Sequence, residues 1–162
     1  TYVAPEPEPE PEPVQTQTAP QTAPVQSGTV QSSYHSGTGS NLLSSVQIDT
    51  ANRTITTPSG LTYSYTQALA CEATAYSCEG ASWNTTATGT TARVGAIAVD
   101  PNFIPLGTEL FVVTNDGQFI YGYCVAEDTG GAIKNNIIDL YFDTFAECYQ
   151  FGRRDCTVYV LS

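Results

Sequence analysis

Basic residues are scarce in this 162-residue chain, and their scarcity excludes several classes of protein. Lys and Arg number 5 against 16 Asp and Glu, which gives a formal net charge of −11. A nucleic-acid-binding surface needs a basic patch, and so does attraction to an anionic membrane surface. No apolar run approaches the roughly 18 residues that a membrane-spanning helix requires. We therefore expect neither nucleic-acid binding nor a membrane span.

Histidine and the common metal-binding and phosphate-binding motifs are missing as well. The single histidine, His35, lies in a polar N-terminal stretch. Without a histidine in the C-terminal region, a Ser-His-Asp triad or a Cys-His nucleophile has no base. The five cysteines include no Cys-x-x-Cys pair, and no glycine-rich loop is followed by Lys-Ser or Lys-Thr. We therefore expect neither a metal nor an organic cofactor.

The N-terminal part has a composition of its own. Seven of the ten prolines lie in the first 24 residues, and residues 5–13 alternate Pro with Glu. Such a segment stays extended and has too little apolar surface to offset the entropy of ordering. We expect residues 1–45 to be a disordered tail or linker. No basic segment followed by an apolar core precedes it, so we expect a signal peptide to be absent from this chain.

The remaining chain is rich in β-type patterns and contains one helix. We predict a hairpin extension over residues 46–68, around Pro58-Ser59-Gly60, and a main domain over residues 69–162. The spacing of Thr144 and Glu147 is that of a capping box. The predicted strands of the main domain are 70–76, 95–100, 109–114, 119–127, 137–142 and 156–161. Six short strands and one helix predict a mainly β, small closed barrel rather than an open parallel sheet.

The cysteines suggest an oxidising compartment. Cys148 lies on the predicted helix and Cys156 begins the next strand, so we expect a disulfide between them, with Cys71 and Cys78 as a less certain second pair. Cys124 is then the odd thiol, buried on its strand. Disulfides together with a solvated Pro/Glu tail favour an extracellular location.

Three aspartates occur in unusual local settings. Asp139 interrupts an otherwise apolar strand, Asp128 precedes Thr129-Gly130-Gly131, and Asp100 lies between an apolar run and a proline. A carboxylate inside an apolar strand is costly unless it is paired or protonated, and burial raises its pKa toward that of a general acid. Asp139 can alternatively face solvent on one side of its strand, or accept hydrogen bonds from backbone amides. Asp100 can alternatively be a turn former, since Asp-Pro favours turns.

The spacing of these aspartates resembles that of a known family. The matching runs are Val99-Asp100-Pro101 to Thr108, Ala126-Glu127-Asp128-Thr129-Gly130-Gly131-Ala132-Ile133-Lys134, and Ile138-Asp139-Leu140-Tyr141-Phe142. Together with Thr86-Ala87-Thr88-Gly89 and Phe151-Gly152-Arg153-Arg154, they resemble the three-aspartate (3D) domain. That domain occurs in bacterial stationary-phase survival proteins and in membrane-bound lytic transglycosylase A. The resemblance covers about residues 70–162.

The resemblance implies a double-psi β-barrel that cleaves the glycan strands of peptidoglycan in the bacterial cell wall. By residue matching, Asp139 is the catalytic acid and base, with Asp128 and Asp100 beside it. The substrate-binding positions are Thr88, Gly89, Thr129, Gly130, Gly131 and Lys134. One departure is Asn135, which stands where the family usually has Gly; Asn tolerates left-handed backbone better than most residues.

A single dominant acid suits a lytic reaction, because glycoside hydrolases generally need two carboxylates. In the lytic route, Asp139 protonates the oxygen between N-acetylmuramic acid and N-acetylglucosamine. It then accepts the proton of the muramyl C6 hydroxyl, which attacks the anomeric carbon and leaves a 1,6-anhydromuramyl end. Trp83, Tyr76 and Tyr121 are candidate sugar-stacking aromatics, or ordinary core residues.

Two other classes of function stay open from the sequence. One is a glycan-binding module without catalysis on the same barrel, since a fold does not fix a function. The other is an aspartic protease, because Asp128-Thr129-Gly130 matches its triplet. That class pairs two triplets, and this chain has one. It would therefore need a dimer.

Overall fold

The computed structural model describes residues 28–34 and 42–162, so the rest of the predicted tail lies outside the described residues. These residues form nine strands and one helix in the following chain order. They are β1 Gly28–Tyr34, β2 Leu42–Asp49, β3 Thr54–Thr56, β4 Thr62–Tyr76, β5 Ala96–Ala98, β6 Glu109–Thr114, β7 Phe119–Asp128, β8 Ile137–Tyr141, α1 Phe145–Phe151 and β9 Arg154–Leu161.

Six of the strands close into a barrel, as the sequence predicted. Their order around the barrel is β4-β8-β5-β7-β6-β9, and β9 pairs back with β4. The pairs β4–β8 and β5–β7 are parallel, and the other four are antiparallel. The barrel interior is filled by buried apolar side chains, among them Ile97, Leu110, Ile138, Leu140 and Val158. Burial of this set is the main stabilising contribution to the barrel.

Strand β4 is long because it serves two parts of the molecule. Its first residues pair with β3, which forms the predicted hairpin across Pro58-Ser59-Gly60. The turn is closed by the Thr57 amide, which donates to the Leu61 carbonyl at 2.8 Å, and Gly60 adopts a φ of 87°. Its later residues pair with β8 and β9 inside the barrel.

A second core joins the N-terminal strands to the outside of the barrel. Val46, Ile48 and Ile55 pack against residues of the barrel strands, including Phe111 and Tyr159. Strand β1 extends this layer: it pairs with β2 and runs parallel to the start of β7. Strand β1 and the first residues of β2 therefore lie in the range that composition assigned to the tail. Composition did not predict these strands, because their order comes from backbone hydrogen bonds to neighbouring strands and not from apolar side chains of their own.

Helix α1 begins and ends as its sequence predicted. The Thr144 side chain accepts from the Glu147 amide and the Glu147 side chain accepts from the Thr144 amide, which completes the capping box. Gly152 ends the helix with a φ of 66°. No helix in the described part of the chain is long and apolar enough to cross a membrane.

The predicted disulfides are not formed: all five cysteines are free thiols. Strand β9 begins at Arg154, two residues earlier than predicted, and Cys156 lies directly opposite Cys71 on β4. Its side chain is therefore buried in the barrel core instead of turning back to Cys148. Its Sγ lies 3.5 Å from the Cys71 carbonyl oxygen. Cys148 stays half-buried on the helix. Cys124 is fully buried on β7, as predicted.

The second core predicts a stability effect at Ile55, which is fully buried. We expect Ile55→Ala to lower the free energy of unfolding by about 2–4 kcal/mol, since it leaves a cavity between the hairpin and the barrel. Leu61, in the same hairpin, is 58% exposed, and Leu61→Ala is the matched control with an expected change within about 0.5 kcal/mol. Urea denaturation measures both. Equal effects of the two substitutions would contradict a core at this place.

Candidate active site

The candidate site lies where four barrel strands present residues at one level. Asp139 on β8 is directly opposite Thr74 on β4 and opposite Ala98 on β5. Ala98 is in turn opposite Asp128 on β7. Asp139 and Asp128 therefore flank β5, with main chains roughly 10 Å apart from two strand spacings. The small side chain of Ala98 stands between them.

A β-bulge decides which acidic residue of β7 faces this row. The register between β5 and β7 pairs Ile97 with Ala126 and then Ala98 with Asp128, so Glu127 is the extra residue. Bulges next to functional sites commonly re-aim a side chain. Here the bulge brings Asp128 level with Asp139. The Glu127 carboxylate is directed to Arg93 instead, with guanidinium distances of 2.7 and 3.1 Å.

The electrostatic setting of Asp139 favours the protonated form of its carboxyl. Its carboxyl is half-buried. Burial raises the pKa of Asp139, and the nearby Asp128 carboxylate raises it further, while a hydrogen bond from Thr74 opposes both effects. Desolvation disfavours the charged form, so the protonated form gains population at higher pH than for an ordinary aspartate. This is the shift that the apolar strand around Asp139 predicted.

Thr74 can serve Asp139 in both protonation states. Its Oγ1 lies 2.8 Å from Asp139 Oδ1 and 3.3 Å from the Ile138 carbonyl oxygen. A hydroxyl has one proton to donate and can also accept. When Asp139 is ionised, Thr74 donates to it. When Asp139 is protonated, its O–H can donate to Thr74 while Thr74 donates to the Ile138 carbonyl.

Asp128 is held by donors from three directions. Its Oδ1 accepts from the Ala87 amide at 3.0 Å and from the Thr129 amide at 2.9 Å. Its Oδ2 accepts from the Tyr76 hydroxyl at 3.2 Å. Burial and the carboxylates of Asp128 and Asp139 together raise the pKa of Tyr76 well above its ordinary value. Tyr76 is thus a fixed neutral donor that holds one aspartate beside the other.

Asp100 is in a different environment from the other two aspartates. Its residue is 6% exposed, and its carboxylate accepts from the Asn102 amide at 3.0 Å and the Asn135 amide at 2.9 Å. These amides, and then the charge of Lys134, lower the pKa of Asp100. Asn135 has a φ of 57°, so it adopts the left-handed backbone expected of the family's glycine. Asp100 therefore anchors the turn that presents Lys134.

The predicted substrate-binding residues lie on two loops that border this row. Thr129 and Lys134 are exposed on the segment between β7 and β8. Gly130 begins a turn closed by the Ile133 amide at 3.0 Å, and a Cβ on Gly130 would lie 3.0 Å from the Ile133 side chain. Gly131 has open space around it. The turn thus favours glycine at 130 on packing grounds.

The other loop carries Thr88 and Gly89 and is fixed to β7. The Thr88 amide donates to the Glu127 carbonyl at 3.1 Å, and Gly89 has a φ of 86°. Beneath them, the hydroxyls of Thr86 and Thr90 lie 2.6 Å apart, and Thr90 donates to the Glu127 carboxylate at 2.8 Å. Arg93 completes this network through its bidentate pair with Glu127. The loop is therefore held rigidly over the end of β7.

The three aromatics considered for sugar stacking differ in their exposure to solvent and in their partners. Tyr121 is 1% exposed and donates to the Tyr141 carbonyl at 2.8 Å, so it belongs to the core. Tyr76 is bound to Asp128. Trp83 is 67% exposed on the loop after β4 and is free to meet a ligand.

Sequence reasoning missed the roles of Thr74 and Tyr76. Both lie on β4, about 50 to 65 positions before the aspartates that they contact. The parallel pairing of β4 with β8 brings Thr74 to Asp139, and the further pairings of β8 with β5 and of β5 with β7 bring Asp128 near Tyr76. The sequence signal that could have found them is their spacing of two residues, which places both side chains on one face of a strand. Within the described residues, no group of three His, Cys, Asp or Glu side chains is arranged to hold a metal ion.

Comparison with known proteins identifies the segment that contains the aspartates. Residues 95–162 match the family model of the 3D domain, which confirms the resemblance. The Putative cell wall shaping protein YabE of Bacillus subtilis (strain 168) is 40% identical over 100 residues, which cover 58% of this chain and 23% of YabE. The Cell wall-binding protein YocH of the same organism is 39% identical over 99 residues, which cover 58% of this chain and 32% of YocH. The chain thus spans less than a third of these relatives.

Solved structures with a matching segment include lytic transglycosylase MltA of E. coli. The crystal structure of MltA with bound chitohexaose is 27% identical, with a TM-score of 0.43. The match covers 48% of this chain and 27% of MltA.

The left-handed backbone of Asn135 predicts how substitutions there behave. We expect Asn135→Ala to lower the free energy of unfolding by about 1 kcal/mol, because a Cβ without a local hydrogen bond is strained at this φ. Asn135→Gly is the matched control and should leave stability unchanged or slightly higher. Both variants keep the amide that donates to Asp100, so urea denaturation isolates the backbone effect. A loss for Gly as large as that for Ala would contradict this explanation.

Proposed function

We propose that this protein is a peptidoglycan lytic transglycosylase. The proposal rests on the 3D-domain match over residues 95–162 and on the carboxyl groups of Asp128 and Asp139, which lie on the two strands that flank β5. The observation that carries the proposal is the half-buried carboxyl of Asp139, whose pKa is raised by burial and by Asp128. Such a group keeps a proton for delivery and returns to the same state afterwards.

The reaction assigns both proton transfers to Asp139. Protonated Asp139 donates to the glycosidic oxygen as the bond to the muramyl anomeric carbon breaks, so N-acetylglucosamine leaves with a free hydroxyl. The muramyl C6 oxygen then bonds to the anomeric carbon and gives its proton to the Asp139 carboxylate. The product carries a 1,6-anhydro ring, no water is consumed, and Asp139 ends protonated as it began.

The surrounding residues support this cycle. Asp128 raises the pKa of Asp139 and, at the other end of the row, is available to stabilise positive charge that develops at the anomeric carbon. Tyr76, Ala87 and Thr129 hold the Asp128 carboxylate in place. Thr74 accommodates both protonation states of Asp139. On this proposal Asp100 is a positioning residue, since its oxygens are used by backbone amides.

The proposed location and substrate are the bacterial cell wall and its glycan strands. YabE and YocH are named for cell wall shaping and cell wall binding, and each matches 58% of this chain. Lys134 is exposed on the segment between β7 and β8, and Trp83 is exposed on the loop after β4. They suit the carboxylate and the sugar faces of such a polymer.

A second function is a glycan-binding module without catalysis. The name of YocH, a cell wall-binding protein, favours it, and so does the exposed Trp83. Binding alone does not require a carboxyl that resists ionisation, which is why we prefer the enzyme. Sedimentation with insoluble peptidoglycan, without release of soluble fragments, would favour the module.

The decisive experiment is digestion of purified peptidoglycan and mass analysis of the soluble fragments. We expect 1,6-anhydromuramyl ends from the wild type, and a loss of roughly 10²-fold or more in their release from Asp139→Asn. Asp155→Asn, at an exposed aspartate on β9, is the matched control and should keep its activity. Reducing ends would indicate a hydrolase, and cleaved cross-bridges would indicate a peptidase.

Loss of folding is not expected to explain the Asp139→Asn result. Because the native state disfavours the Asp139 carboxylate, ionisation of Asp139 lowers the stability of the wild type as pH rises through its raised pKa. An amide carries no charge, so the variant should melt at or above the wild-type temperature at neutral pH. A variant that melts far below the wild type would make the activity result uninformative and require Asp139→Ser instead.

The role of Thr74 predicts a shift in the pH profile. Its hydrogen bond lowers the pKa of Asp139, so Thr74→Val should raise that pKa further. The first step needs protonated Asp139, and the alkaline limb of kcat/KM should therefore move to higher pH. Thr66→Val, on the same strand but bonded to Val160, is the matched control and should leave the limb in place. A limb that stays or moves to lower pH would contradict the assignment of Asp139 as the acid.

A further inference from the structure

The five thiols fall into two groups by position. Cys71, Cys124 and Cys156 are buried in the barrel core. Cys78 and Cys148 are half-buried and pack at the edge of that core. Only the second group has both access to solvent and a place beside the site. Burial and Asp128 raise the pKa of Cys78, and Asp139 contributes to raising that of Cys148.

Cys78 is held on the segment that follows β4 and runs beside the start of α1. Before it, the Ser77 hydroxyl donates to the Asp143 carbonyl at 3.1 Å. After it, the Glu79 carboxylate accepts from the Phe145 amide, the first of the helix, at 2.6 Å. Cys78 thus lies between two residues that are hydrogen bonded to Asp143 and Phe145, at the start of α1.

Cys148 lies one turn into the same helix. Its amide donates to the Thr144 carbonyl at 3.2 Å, so it lies about one helical turn, roughly 5 Å, beyond the helix start. Its side chain packs toward the core rather than outward, whereas the neighbouring Tyr149 is 86% exposed. Burial, and then the charges of Cys78 and Asp143, raise the pKa of Tyr141, and Cys148 contributes to the same shift.

We propose that Cys78 and Cys148 form a disulfide that fastens the loop after β4 to helix α1. The two thiols lose two protons and two electrons as one S–S bond replaces two S–H bonds. The electrons pass to the disulfide of a small thiol or of a thiol–disulfide oxidoreductase, which becomes a dithiol through a mixed-disulfide intermediate. Reaction needs a thiolate, so formation speeds up as pH rises toward the Cys148 pKa of about 11.

The bond would act on the candidate site through the loop that it closes. The segment after Cys78 carries Trp83 and then Ala87, whose amide holds Asp128. Helix α1 directly follows β8, which carries Asp139. A covalent link between the two segments would therefore fix the two aspartates relative to each other, since it restricts the elements that hold each one.

A different pairing, Cys71 with Cys156, is less suited to oxidation. These residues are opposite each other on β4 and β9, but both are at most 4% exposed. Burial raises the pKa of Cys71 to about 12 and that of Cys156 further. An external disulfide has no path to either sulfur in the folded barrel.

The test maps the cysteines of the purified wild-type chain. The reduced protein is oxidised with oxidised glutathione at pH 8.5, its remaining thiols are blocked with N-ethylmaleimide, and it is digested without reductant by trypsin and chymotrypsin. Cleavage after Tyr76 separates Cys71 from Cys78. We expect a linked pair of peptides that contain Cys78 and Cys148, with Cys71, Cys124 and Cys156 blocked only after denaturation.

Thermal melting provides a second measurement. Reductant should lower the melting temperature of the oxidised wild type by roughly 10 °C, because the bond closes a long loop. The same reductant should not shift Cys78→Ser or Cys148→Ser, while Cys124→Ala keeps the wild-type response as the matched control. Blocked Cys78 and Cys148 after oxidation, glutathione adducts alone, or a Cys71–Cys156 link would overturn the proposal. None of these outcomes depends on glycan cleavage, so the proposed function is judged separately.

Discussion

The arrangement of the site depends on the free-energy cost of placing a carboxylate within an apolar barrel strand. Asp139 has apolar neighbours on β8, and water is partly excluded around it. Its charge is disfavoured by desolvation and again by Asp128. A packed barrel tolerates this only where each polar atom has a partner. Thr74 is that partner, and its hydroxyl can reverse direction as the proton on Asp139 comes and goes.

Strand β4 is the element that makes the arrangement possible. Thr74 and Tyr76 lie on one face at the end of β4, and they contact two different aspartates on two different strands. Its parallel pairing with β8 sets the level of Thr74 against Asp139, and its pairing with β9 closes the barrel. The hairpin and β2 then cover the outside of the barrel, so β4 is tied down along its whole length.

Much of this fold follows from local sequence signals, and most of the site does not. A few consecutive residues are enough to predict the capping box at Thr144, the hairpin around Gly60 and the barrel strands. The unusual setting of Asp139 is equally local. The bulge at Glu127, by contrast, depends on the register between β5 and β7. The partners of Asp128, and the position of Cys156 opposite Cys71, depend on pairings between distant segments, which spacing along the chain cannot reveal.

The three aspartates show how environment divides one residue type into different roles. Asp100 receives two backbone amides and the field of Lys134, which lower its pKa and keep it charged as an anchor for the Asn135 turn. Asp139 has one adaptable hydroxyl and a neighbouring carboxylate, which leave its pKa raised. Backbone donors cannot withdraw when a carboxylate takes a proton, whereas a hydroxyl can turn. The proposed transglycosylase reaction has its acid exchange a proton twice per turnover, so it needs the environment of Asp139, and Asp100 is unsuited to it.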